Sequence, residues 1–230
     1  MNKSEIIDHD LVVQIWLTRG IEYLFLSFRV GEMDRYSLFD QFLNAMGLEM
    51  ICKGYLLAVH QAEYKGLVEK KAKERINKLA SNWGHEVKKL IESIKGNIGV
   101  EKIQPFLEKE FSGFEQKKDP PQKNTNLSKT ILSGIEAAYF ESRYPVPQPF
   151  YKDKRFEVIG VGNAYFDPLY SSDIHTFCYE FCRVILTDLK EKYGICLPSS
   201  WFNQKISGDE GERFGNLLFD SRKQDFISDI

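Results

Sequence analysis

The stretch from Ser37 to Gln61 constrains this chain more than any other. Leu38, Phe42, Ala45, Met46, Cys52 and Leu56 recur at helical spacing, and Leu43, Leu48, Ile51, Tyr55, Leu57 and Val59 widen the apolar surface around most of the circumference. A helix apolar on nearly every side belongs at the centre of a bundle, so this segment predicts an all-α core. Glu49 and Lys53 interrupt it four residues apart, Glu first, the order that lets the two side chains pair on one face. An unpaired charge there would be costly, so both are expected to be buried and paired.

The other segments follow the same period. Asp8 or Asp10 can cap a first helix running to about Phe28, which Gly20 bends or splits. Val68–Ala80 reads as a charged amphipathic helix, with Val68, Ala72, Ile76, Leu79 and Ala80 inward. Asn82-Trp83-Gly84 breaks it, and His85 opens another helix striped by Val87, Leu90, Ile91 and Ile94. A short helix over Val100–Phe111 is interrupted near Pro105, and Gly113–Asn126 reads as an exposed loop. Ser128 caps a helix that ends at Arg143-Tyr144-Pro145, since the residue before proline is pushed out of the helical region. Pro145, Pro147 and Pro149 hold the chain extended, Phe156–Val161 is a short strand or a surface loop, and Asp173–Lys192 is a final long helix. After Gly194 the pattern gives either a last helix over Leu217–Ile230 or a loose tail. The expected architecture is an up-and-down bundle over residues 1–145, with 146–230 adding a linker, one long helix and an irregular tail packed on it.

The chain has 230 residues, 43% hydrophobic and 28% charged, enough to bury a sizeable core. A formal net charge of −2 supplies no overall attraction to nucleic acid or anionic membranes, so such binding would need a local patch. The longest apolar runs, Leu11–Leu17 and Tyr55–Val59, fall short of the ~20 residues of a membrane span. Met1–Asp10 lacks the basic start and apolar run of a secretory signal. Cys52, Cys178, Cys182 and Cys196 form no disulfide framework and read as free thiols, so a cytoplasmic location without membrane attachment is expected.

His85 stands where an imidazole at a helix start can accept a proton or position a ligand. The plainer reading is a cap packed against Trp83. His175, Cys178 and Cys182 share a helix face and could offer three metal ligands, but a fourth donor is missing and buried cysteine is common in cores, so no metal is expected. Gly160-Val161-Gly162 lacks a third glycine and no Gly-Lys-Ser/Thr loop occurs, so no cofactor is expected either. The mixed-sign run Glu69–Arg75 reads as a solvated face, and as the best place to touch phosphate if it is functional.

Three further pieces stand in a telling order: Leu48-Glu49-Met50-Ile51-Cys52-Lys53-Gly54-Tyr55-Leu56-Leu57, then Gly84-His85-Glu86-Val87, then Tyr139-Phe140-Glu141-Ser142-Arg143-Tyr144-Pro145. Together, over residues 37–145, they resemble the HEPN superfamily of helical bundles. The resemblance implies a bundle of HEPN type and a homodimer built on the helices flanking His85. It also implies one of two roles. Many members are metal-independent ribonucleases, whose motif is an Arg followed by a His four to six residues on; others bind a nucleotide, RNA or a partner protein without catalysis. Here the positions ahead of His85 offer Lys78, Leu79 or Ala80, and no other histidine has a preceding Arg at that distance. Lysine lacks the planar fork that grips phosphate. The expected function is therefore a non-catalytic binding module using His85, Trp83, Arg143 and Tyr144, with Glu49 and Lys53 as a structural pair. The alternatives are a ribonuclease with a rearranged site around His85 and Lys78, and a helical protein of unrelated function. Arg143 is also explained as a charge favoured at a helix C-terminus.

Overall fold

In the computed structural model, which describes residues 6–34, 38–111, 130–143 and 168–228, the chain is all-α. The two most apolar segments form its centre: α1 (His9–Asp34) lies antiparallel against α2 (Leu38–Val59), and this is the most extensive helix contact in the protein. Glycine allows that contact. A Cβ on Gly20 would stand 2.9 Å from the Gly47 carbonyl, and one on Gly47 would stand 3.0 Å from the Gly20 carbonyl. The two backbones touch at this point, so Gly20 does not split α1; it is where α2 crosses. Asp8 supplies the expected cap, accepting the Asp10 and Leu11 amides at 3.0 and 3.3 Å.

Both central helices contain a window long and apolar enough to cross a membrane by length and composition, which the short apolar runs of the sequence did not suggest. Of those windows, 61% and 78% of the residues are buried inside the protein, as befits the core pair of a bundle.

Around the pair stand α3 (Glu69–Asn82), α4 (Val87–Ile98), α5 (Val100–Glu108) and α6 (Ile131–Arg143), with α4 and α6 packed on α2. Pro105 lies inside α5 without ending it. Thr130 caps α6, its hydroxyl accepting the Ser133 amide at 3.4 Å, so the cap lies two residues beyond the expected Ser128. The loop over 113–126, the proline-rich segment and the strand considered at 156–161 lie outside the described residues.

The C-terminal part departs most from expectation. The long helix α7 (Pro168–Tyr193) is there, but α8 (Ser199–Lys205), α9 (Gly208–Phe219) and α10 (Lys223–Phe226) replace an irregular tail. Two short strands, β1 (Leu197–Pro198) and β2 (Ile227–Ser228), pair in parallel. The tail is ordered by aromatic burial: Phe202, Phe214, Phe219 and Phe226 are buried in the same continuous core as α1 and α2. Gln14 donates to the Cys196 carbonyl at 2.8 Å, Trp201 to Glu22 at 3.1 Å, and Arg29 pairs with Glu210 at 2.7 Å, tying these helices to α1.

Candidate functional site

Glu49 and Lys53 occupy one face of α2, Nζ 2.8 Å from Oε1, and both are buried. The pair does not stand alone. Nδ1 of His85 lies 2.8 Å from the same Oε1 atom, and the Tyr139 hydroxyl of α6 donates to Oε2 at 3.1 Å. One buried carboxylate thus gathers three donors from three separate segments, which answers the desolvation cost of placing it in an apolar helix.

His85 reaches Glu49 because the chain turns sharply before it. Helix α3 ends at Asn82, and Gly84 adopts φ 70°, a conformation that favours glycine. Helix α4 begins only at Val87, so His85 lies before the helix, in the turn, and does not open it as the sequence suggested. The buried Glu49 carboxylate orients its ring. With Nδ1 engaged, Nε2 is left outside the cluster on a side chain 55% exposed. Helix α6 holds the turn at a second point, where Glu136 accepts the Lys88 amide at 2.8 Å. Burial pushes the Glu136 carboxyl above its ordinary range, an effect the Lys88 amide only partly offsets.

Trp83 stands partly buried at the same turn, its ring centroid 5.7 Å from that of His60. His60 in turn faces Glu63 at 2.9 Å through Nδ1, and Glu63 also pairs with Arg75. Lys78 is not brought to His85: the helix that would carry both stops at Asn82, and among the described residues no hydrogen bond or ion pair joins them. Arg143 closes α6 one turn after Tyr139; its side chain, and all of Tyr144, lie outside the described residues.

A second polar cluster was not anticipated. Ser27 of α1 donates to Asp40 of α2, and Nε2 of His175 on α7 lies 3.0 Å from Asp40 Oδ1 and 3.1 Å from Ser27 Oγ. The residue types match a nucleophilic triad, but the geometry does not. A triad sets its carboxylate and its hydroxyl on opposite ring nitrogens, whereas here both face Nε2, and Ser27 is fully buried. The cluster instead joins α1, α2 and α7. His175 therefore turns to Asp40 and away from any shared ligand set with Cys178 and Cys182. Both of those thiols are fully buried, which pushes Cys182 up to about 12 and Cys178 well above the usual thiol range. All four cysteines are free. Polar residues inside apolar helices were the available signal for this cluster.

What fold and site define is an all-α bundle whose central helix carries a buried carboxylate shared by a lysine, a tyrosine and a half-exposed histidine. No family model matches the chain, and neither a curated protein nor a solved structure matches it.

Proposed function

We propose that the chain is a HEPN-like binding module, acting in the cytoplasm through the surface around His85 and Trp83, without cleaving RNA. Its ligand classes are a nucleotide, RNA or a partner chain, and a second copy would pair on α3 and α4, the helices that flank His85. The observation that carries this reading is the engagement of the site's cation. Lys53 is bound to Glu49 with only 4% of its side chain exposed, and Lys78 sits across a broken helix from His85. Among the described residues no hydrogen bond or ion pair ties Lys53 or Lys78 to His85, and removing a preorganised donor of the kind that steadies a phosphate in transfer costs about 100- to 1,000-fold in rate.

One feature favours the alternative, a ribonuclease with a rearranged site. A carboxylate on Nδ1 with Nε2 directed outward is how an oriented general base is built. Metal-free incubation of mixed-sequence RNA separates the two. The expected result is intact RNA with both the parent protein and His85→Ala; cleavage that the substitution abolishes would put the ribonuclease first. Light scattering that finds a monomer at tens of micromolar protein would remove the pairing.

A further inference from the structure

A surface cleft of about 370 Å³, sharing no residue with the His85 site, opens between α5, α7 and the turn that follows α9. Phe106 and Val184 form its apolar part, and Lys102, Arg183 and Arg222 supply three cations against one carboxylate, Glu180. That carboxylate is already occupied, since Lys109 approaches it at 2.6 Å. Among the described residues neither Lys102 nor Arg222 has an acidic partner. So much uncompensated positive charge in one cleft is unusual for a chain of net charge −2.

Two of the cations are held in place. Arg183 Nη1 donates to the Leu217 and Leu218 carbonyls at 2.9 and 3.0 Å, which fixes the guanidinium. Nε and Nη2, the rest of the fork, have no acceptor among the described residues. The Arg222 guanidinium lies over the Phe226 ring, 5.3 Å from its centroid. A planar fork fixed in advance suits phosphate oxygens and loses little freedom on binding. The volume falls in the range of small-molecule sites, roughly 300–1,000 Å³.

We propose that this cleft binds a small phosphomonoester with an apolar body: the dianionic phosphate among Lys102, Arg183 and Arg222, and the body against Phe106 and Val184. A nucleic-acid strand fits less well, because it needs a basic track longer than one cleft and gains nothing from the acidic remainder of the chain.

Phenyl phosphate and inorganic phosphate serve as probes in calorimetric titrations of the full chain at low ionic strength. Phenyl phosphate is expected to bind saturably and more tightly than inorganic phosphate. Lys102→Gln and Arg222→Gln are each expected to weaken it about tenfold, the loss of one charge-assisted hydrogen bond. Both side chains are exposed, so an unchanged melting temperature is the expected control. His85→Ala should leave the affinity unaltered, separating this cleft from the site proposed above. Absence of saturable binding, equal affinity for the two probes, or unchanged affinity in both glutamine variants would overturn the proposal.

Discussion

Nδ1 of His85 lies 2.8 Å from Oε1 of Glu49, although 36 residues separate them in sequence. The contact fixes the turn between α3 and α4 to the central helix, and makes the exposed histidine depend on a buried carboxylate. Any ligand that meets His85 meets a ring whose orientation is set from inside the bundle.

Removing one member of the buried pair should therefore be severe. Glu49→Gln leaves the Lys53 charge without its partner and weakens the acceptor of His85 and Tyr139, so it should cost about 3–5 kcal/mol in urea unfolding. Lys53→Met should cost less, because two donors still serve Glu49. The double variant should cost less than the sum of the two, giving a coupling energy in a double-mutant cycle. Additive losses would show that the two groups do not communicate.

Tyr55 and Asp188 make a simpler test. The Tyr55 hydroxyl donates to Asp188 Oδ2 at 2.7 Å deep between α2 and α7, and Lys192 approaches the other oxygen at 2.8 Å. Burial, and then the hydrogen bond to Asp188, push the Tyr55 phenol far above its usual range, so it remains a donor at any ordinary pH. Tyr55→Phe should cost about 1–3 kcal/mol, mainly because it strips a buried carboxylate of a donor. A loss well under that range would show that Lys192 alone satisfies Asp188.

The end of α9 offers the opposite sign. Asp220 holds φ 55° and ψ −142°, a conformation costly for any residue with a Cβ. Asp220→Gly should raise stability by on the order of 1 kcal/mol despite the added freedom of the unfolded chain. A lowered melting temperature would mean that the Asp220 side chain stabilises the turn by more than its backbone costs.

What the sequence revealed and what it hid divide along one line: local periodicity against long-range partnership. The apolar circumference of residues 38–59 marked the central helix, and the four-residue spacing marked Glu49 with Lys53. Nothing local connects Glu49 to His85 or Tyr139, or Asp40 to Ser27 and His175, because those partners are set by how the helices pack. Gly20 shows the same limit. A glycine inside a helical pattern reads as a weak point until the second glycine, Gly47, is seen against it. The C-terminal helices were missed for another reason. Helices α8 and α10 span only 7 and 4 residues, and the order of all three depends on phenylalanines buried in the common core, which a local pattern does not register.

Glu136 makes the stability of the α4 terminus depend on pH. Its carboxyl caps the start of α4 through the Lys88 amide, and burial raises its titration above the ordinary range; Glu86 and Glu92 add to the rise, whereas the amide and the Lys88 charge oppose it. A group raised in the folded state binds its proton more tightly there than in the unfolded chain. Its contribution is therefore fully present below the ordinary carboxylate range and is lost as pH climbs through the raised value. Glutamine keeps an acceptor for the Lys88 amide and never ionises. Glu136→Gln should differ least from the parent protein at about pH 3, below the ordinary carboxylate range, and gain stability relative to it by about pH 7, because only the parent must ionise a half-buried group. Urea unfolding of both proteins at the two pH values measures the difference. A variant less stable than the parent at neutral pH would show that the ionised carboxylate favours the α4 terminus by more than its burial costs.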